Sequence, residues 1–291
     1  MKIIETHIAK KQEKPIRFQE YGVGIFNTVS TKSAIKKAIK KELIFIDGIL
    51  ATTSKYISGG EKIELYKSEK IATFKRLKLD VEVLYEDDFL AIIYKPAGIL
   101  VSGNKFVTIT NALPRNLQKS TQKVAVKPQP IHRLDYPTSG LLLVGKTSSA
   151  IQKLSLLFKK KKIQKTYYAI TIGNMCSAGV IHFKVDHKNA STEFKVLQSV
   201  KSERFENLNL VELQPKTGRK HQLRKHLSSI GHQILGDKIY GKSDLILKGK
   251  GLYLHAAKLE FEHPITNKKI CICKNLPKKF SKIFINYSDI C

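Results

Sequence analysis

Acidic residues are few in this chain beside its basic ones. Of its 291 residues, 24 are Asp or Glu against 52 Lys or Arg, a formal charge of +28. Solubility needs far less, and a field of that sign attracts polyanions, the phosphate backbone of nucleic acid first among them. Arginine is scarce too: seven of the 52 cations, leaving 45 Lys. Part of the charge is thus a general preference for Lys, and every Arg retained against it merits inspection. No apolar stretch approaches membrane-spanning length, so a helical membrane protein is not expected. The segment Met1 to Pro15 is polar and charged with no apolar core, unlike a signal peptide. The four cysteines (Cys176, Cys271, Cys273, Cys291) lack paired metal spacing. Cys271 and Cys273 alternate within a strand-like run, Ile270 to Lys274, so both would point to one face. A reduced, cytoplasmic protein is expected. There is no internal repeat, and the only charge run, Lys159 to Lys162, reads as the basic end of a helix.

The length suits one large domain and one small one. Residues 30 to 66 read as a compact module. Thr31 or Ser33 can cap a helix from about Lys32 to Glu42. Ala34, Ile35, Ala38 and Ile39 share one side of it, and Lys32, Lys36, Lys37, Lys40 and Lys41 cover the other. Leu43 to Ile46 and Ile49 to Ala51 form a hairpin about Asp47-Gly48, and Gly59-Gly60 turns the chain into a last strand, Lys62 to Tyr66. A Lys-faced helix can be no more than a solvated surface. The order of helix, Ile-Asp-Gly hairpin and Gly-Gly-Glu-Lys-Ile turn, however, resembles the RNA-binding domain named after ribosomal protein S-four. That resemblance implies that Lys36 and Lys40 contact RNA. The family's usual first helix is poorly matched, since Ile16 to Thr28 holds Gly22 and Gly24.

This assigns 1–66 to the small domain with an N-terminal extension, 67–79 to a basic linker and 80–291 to a second domain. There the texture turns to many strands and few helices. Alternating runs occur at Val81 to Tyr85, Leu90 to Tyr94, Tyr167 to Ile172, Thr192 to Val200, Leu208 to Leu213 and Tyr253 to Phe261, with an apolar strand from Leu141 to Val144. Helices are expected from Ser148 to about Lys161 and from Gly218 to about Ile230, the second stopped by Gly231. Without strict alternation of strand and helix, the expected class is α+β, with a mixed, largely antiparallel sheet.

The densest motif is His132-Arg133-Leu134-Asp135-Tyr136-Pro137-Thr138-Ser139-Gly140, which puts one carboxylate between bases and a tight turn. Three further segments accompany it: Tyr94-Lys95-Pro96-Ala97-Gly98, Lys165-Thr166-Tyr167-Tyr168-Ala169, and Thr217-Gly218-Arg219-Lys220-His221-Gln222-Leu223-Arg224-Lys225-His226. The last is followed by Leu235-Gly236-Asp237, Leu254-His255-Ala256 and His263-Pro264. Three of the seven arginines, Arg133, Arg219 and Arg224, fall inside two of these motifs, where a planar fork does what Lys does not. Singly, each has a bland reading: a loop Asp is usually a turn former, a strand Tyr is packing, a Pro-Gly step is a turn. Together and in this order, across about 80 to 275, they resemble the RluA-type pseudouridine synthases.

The resemblance implies isomerisation of uridine to pseudouridine within RNA, without a cofactor, because nothing is oxidised and no group is imported. It makes Asp135 the essential group. A buried carboxylate without a partner takes up a proton, and Arg224 matches the family Arg that pairs with this Asp, by a bidentate fork. Tyr167 matches the family Tyr that stacks on uracil and assists proton removal from the ring carbon. Leu254 matches the apolar residue closing the pocket, and Arg133 is assigned to phosphate or to the gap left by a flipped base. Tyr168 is expected in the core, and His132 as a hydrogen-bonded structural group. His221, His226 and His232 do not read as a metal set, since no carboxylate or Cys lies at ligand spacing. Ser102-Gly103-Asn104 and Tyr136-Pro137 depart from the family pattern beside the site and put substrate details in question. The RNA is expected to be large-subunit ribosomal RNA, with transfer RNA the second candidate, and the chain to act as a monomer away from membranes. The rival reading is a non-catalytic ribosome-assembly clamp, whose mark would be loss of Asp135, Tyr167 or Arg224. A nuclease or deaminase would want paired carboxylates or a zinc set.

Overall fold

The computed structural model describes residues 2–29, 31–67, 77–247, 249–287 and 290–291. The chain folds as two units, Met1–Lys75 and Arg76–Cys291. The linker expected at 67–79 lies for the most part outside the described residues.

The first unit contains β1 (Lys2–Ile8), β2 (Ile16–Arg17), α1 (Phe18–Tyr21), α2 (Lys32–Lys40), β3 (Ile44–Ile46), β4 (Ile49–Leu50), β5 (Tyr56–Ile57) and β6 (Lys62–Lys67). The Thr31 hydroxyl accepts the Ala34 N–H at 3.2 Å and so starts α2. Ile35, Ala38 and Ile39 are buried, while Lys36, Lys37 and Lys40 are exposed. Asp47 and Gly48 both take positive φ, 50° and 77°, as a tight two-residue hairpin requires. The sheet order is β1-β6-β3-β4. The N-terminal segment, expected as a mere extension, is therefore a strand of this sheet. Between Ile16 and Thr28 only the four-residue α1 is helical, as Gly22 and Gly24 foretell.

The second unit contains β7 (Val83–Glu86), β8 (Leu90–Lys95), α3 (Ile109–Asn116), β9 (Ala125–Pro130), β10 (Ser139–Thr147), α4 (Ser148–Lys159), β11 (Gln164–Ile172), β12 (Ala178–His182), β13 (Ser191–Ser202), β14 (Glu206–Pro215), α5 (Gln222–Ser229), β15 (Leu254–Glu262), β16 (Lys269–Cys273) and α6 (Lys278–Ser281). One sheet runs β12-β13-β14-β11-β15-β10-β8-β7, with β9 on β10 and β16 on β15. This is the α+β class with a mixed, largely antiparallel sheet. Every residue of β10 is buried, because helices cover both faces there. Period-two alternation sends Leu142 and Val144 with Ile93 against Ile109, Ala112 and Leu113 of α3, and Leu141 and Leu143 with Ile92 against Leu154 of α4.

The pair β10–β15 is parallel and only two residues long, Ser139 beside His255 and Gly140 beside Ala256. Gly140 has φ 127°, and a Cβ there would lie 2.2 Å from the Ala256 carbonyl oxygen. Only glycine allows this approach.

Two expectations are corrected. Helix α5 starts at Gln222 rather than Gly218, because Gln222 Oε1 accepts the Thr217 hydroxyl (2.6 Å) and the Arg219 N–H (3.0 Å), holding 217–220 as a loop. The cysteines are not all reduced: Cys273 and Cys291 are disulfide-bonded, while Cys176 and Cys271 are free and exposed. The tail folds back on β16 and brings together two residues 18 apart in sequence, a proximity that cysteine spacing does not reveal. Among the described residues no helix is long and apolar enough to cross a membrane.

Candidate active site

The motif 132–140 joins β9 to β10, and its fastenings explain its composition. His132 Nε2 accepts the Leu143 N–H at 3.1 Å, and burial, aided by Lys165, pushes its pKa down to about 3. It is thus a neutral structural ring. The Asp135 carbonyl accepts the Thr138 N–H at 3.1 Å, closing a turn, and Gly98 N–H donates to the Tyr136 carbonyl at 2.8 Å. Beneath the turn lies Lys95, fully buried. Its Nζ donates to the carbonyls of Pro96 (2.8 Å), Thr138 (2.7 Å) and, more weakly, Tyr136 (3.4 Å). Burial pushes the Lys95 pKa down to about 8, against the upward pull of Asp135. In the sequence this residue was hidden in what reads as a simple Pro-Gly turn.

The loop presents Asp135 to a cleft of about 350 Å³ that is also lined by Arg133, Tyr167, Arg224 and Leu254. All five residues assigned to the catalytic domain by resemblance thus share one cavity. Lys36 and Lys40 stand exposed on α2 of the first unit. Tyr167 lies beside a bulge, where the β11–β15 register shifts between Thr166 and Tyr167; bulges re-aim side chains next to sites. Burial, and then the charge of Asp135, raises the Tyr167 pKa, so the phenol stays protonated. Tyr168 alternates into the core, its hydroxyl on Glu212 at 3.1 Å.

Arg224 departs from the expected pairing. Its fork grips Asp237: Nε to Oδ2 and Nη2 to Oδ1, both 2.7 Å. Only Nη1 faces Asp135, 3.6 Å from Oδ2, longer than a hydrogen bond. Burial pushes the Asp237 carboxyl up, but the Arg224 fork and the N–H groups of Ile239 and Tyr240 outweigh it and hold it below its ordinary value. The two carboxylates differ in access as well, Asp237 being 1% exposed and Asp135 21%.

His221 caps α5 in a left-handed conformation, φ 57°. This aims Nε2 to within 3.6 Å of Asp135 Oδ1, while Nδ1 sits 2.8 Å from the Tyr240 hydroxyl. Burial lowers the His221 pKa despite the pull of Asp135. Lys165 also lines the cleft, its pKa lowered by burial; among the described residues no ion pair engages it. Sequence reasoning assigned no role to Lys95, Lys165 or Asp237. Their only signal was membership of the quoted motifs.

A sheet carrying a cation-lined cleft with one accessible carboxylate describes an α+β enzyme acting on an anionic substrate. Comparison with known proteins says which. A family model described as RNA pseudouridylate synthase matches residues 89–229. The ribosomal large subunit pseudouridine synthase D of Buchnera aphidicola subsp. Schizaphis graminum is 32% identical over 288 residues, spanning 88% of this chain and 89% of that protein. The tRNA pseudouridine synthase C of Pasteurella multocida is 34% identical over 239 residues, spanning 72% of this chain and 97% of its own length. Among solved structures, human RNA pseudouridylate synthase domain containing 4 matches with TM-score 0.56 and 28% identity, over 68% of this chain and 90% of that one. The chain belongs to the RNA pseudouridylate synthase family. It is an enzyme that isomerises uridine to pseudouridine in RNA.

Proposed function

We propose that the enzyme modifies large-subunit ribosomal RNA, without a cofactor, through Asp135. The observation carrying this reading is that Asp135, Tyr167 and Arg224, far apart in sequence, line the same cleft. The reaction breaks the bond from ribose to a ring nitrogen, turns the base and rejoins it through carbon, so one carboxylate and one proton path suffice. Arg224, anchored by Asp237, aims Nη1 at the carboxylate of Asp135. A phenol kept protonated by burial is a poor base in its own right. Tyr167 therefore stacks on uracil and takes the ring-carbon proton only as its hydroxyl passes its own proton to water in the cleft, while the ring nitrogen freed from ribose takes up a proton from that water, so that the isomerisation balances. Leu254 closes the floor, and Arg133, exposed at the rim, meets phosphate or fills the place of the flipped base.

The first unit is an S-four-type RNA clamp acting through Lys36 and Lys40, and the protein works as a cytoplasmic monomer. Support for the ribosomal target comes from the names of the relatives, with transfer RNA the alternative substrate. The test incubates wild type and Asp135→Ala separately with unmodified ribosomal and transfer RNA transcripts, followed by site-resolved pseudouridine mapping. Product at a ribosomal site from wild type alone supports the proposal. Product from a folded Asp135→Ala protein removes the role of Asp135, and product only on transfer RNA removes the target.

A further inference from the structure

The second unit carries concave cationic surface that the catalytic cleft does not use. A groove of about 640 Å³ adjoins the cleft at Phe158, Lys165, Thr217 and Arg219, the last lining both, and another of about 480 Å³ continues it past Lys161 and Arg219 to the strand β12. Lys159, Lys161, Lys216 and Arg219 line the first, and Lys184 joins Lys161 and Arg219 in the second. Lys216 is paired with Glu193. Among the described residues no ion pair engages Lys159, Lys161, Lys184 or Arg219, and all four are exposed; Arg219 Nε donates to the Asn189 carbonyl at 3.4 Å, and the one carboxylate lining the first groove, Glu260, is paired with Lys258.

Phe183 lines the far groove and is 54% exposed. A lone exposed apolar residue is ordinary, but this one is fixed from behind. His226 on α5, itself fully buried, has Nε2 3.0 Å from the Phe183 carbonyl and Nδ1 3.0 Å from the Thr192 hydroxyl. Burial lowers the His226 pKa, so the ring is neutral and has one N–H. A carbonyl can only accept, so Nε2 carries that proton and donates it to Phe183. The Thr192 hydroxyl donates to Nδ1 and accepts from Gln222 Nε2 at 3.0 Å. The helix that supplies Arg224 and His221 to the cleft thus also anchors the backbone of Phe183.

We infer that the single-stranded RNA flanking the target uridine leaves the cleft along these grooves, its phosphates meeting Lys161, Lys184 and Arg219 and one unpaired base stacking on Phe183. Cations along a channel and an aromatic ring at its side are what single-strand binding uses, and an unstacked base is what a protein can read in RNA. The inference rests on reading the cleft as the site of isomerisation.

The test uses the full chain and a ribosomal RNA transcript that it binds, with 5-iodouridine placed at successive flanking positions and the crosslinked residue identified by mass spectrometry. Irradiation is expected to join one flanking position to Phe183. Phe183→Ala should raise the RNA concentration for half-maximal single-turnover rate about tenfold while leaving the rate at saturation within about twofold; Phe183→Tyr should restore it and Phe183→Leu should not. Crosslinks that map elsewhere, or an Ala variant with the RNA dependence of wild type, would overturn the strand path. If pseudouridine forms while crosslinks lie elsewhere, the path falls and the assignment of the cleft stands. A crosslink to Phe183 without pseudouridine on that RNA keeps the path and removes that RNA as target.

Discussion

Positive charge is put to two different uses on α2 of the first unit and in the buried groups around Asp135 in the second. On α2 of the first unit, Lys36, Lys37 and Lys40 stand exposed on a helix whose other side is the core. In the second unit two cations at and beneath the cleft are buried and committed: Arg224 to Asp237, and Lys95 to the carbonyls beneath Asp135. Exposed, well-hydrated lysines supply a field and tolerate replacement one by one. A buried guanidinium sets position, and its loss strands its partner. Attraction and aim are thus separable in this molecule.

Four substitutions or titrations sharpen that contrast. The largest effect is expected for Asp135→Asn, which keeps shape and removes the carboxylate: the single-turnover rate should fall by about 10⁴-fold or more, with RNA binding near wild type by filter retention. Next is Arg224→Ala, which leaves Asp237 buried and unpaired. Denaturant unfolding should show a loss of about 3–5 kcal/mol, and the rate should drop with it; a stable variant would mean that Asp237 finds another partner. Reversal at Lys36 and Lys40 together should weaken RNA binding about tenfold and lower the salt slope by about two, with the saturated rate unchanged. Unaltered affinity would end the comparison, since the first unit would then supply no attraction.

The smallest effect concerns pH. The folded pKa of Lys95 lies near 8, below its ordinary value. Between about 8 and the unfolded lysine value the unfolded chain binds more protons, so stability contributed by this group rises with pH. Over the same window the turn under Asp135 loses its cation, and the single-turnover rate should decline a fewfold. Rate and melting temperature should therefore move in opposite directions above pH 8. A rate that is flat through that range would separate the charge of Lys95 from the reaction.

Much of the site was legible because motif spacing survives in sequence: Asp135, Tyr167 and Arg224 were assigned by order and type, and one cleft holds them. What was not legible depended on folding. Lys95 reads as part of a turn until the sheet buries it. Asp237, 13 residues beyond Arg224, takes the fork assigned to Asp135 only because the chain after α5 doubles back. Elements were missed for local reasons. Pro114 argues against a helix at α3 and two prolines against a strand at β9, yet both form: β9 sits beside β10 in pairing that tolerates missing donors, and α3 packs on the sheet through Ile109, Ala112 and Leu113. Strand β1 alternates weakly, its isoleucines 3, 4 and 8 being exposed, so periodicity gave it no signal.

The double engagement of Arg224 makes it a calliper. One jaw is closed on Asp237, whose own position is set by the backbone N–H groups of Ile239 and Tyr240, and the other jaw measures the gap to Asp135. Asp237→Glu would preserve every charge and every donor while lengthening the fixed arm by one methylene. A displacement of about 1 Å in a reacting geometry can cost about a hundredfold in rate. A residue that never meets the substrate would then set the tolerance to which the enzyme is machined.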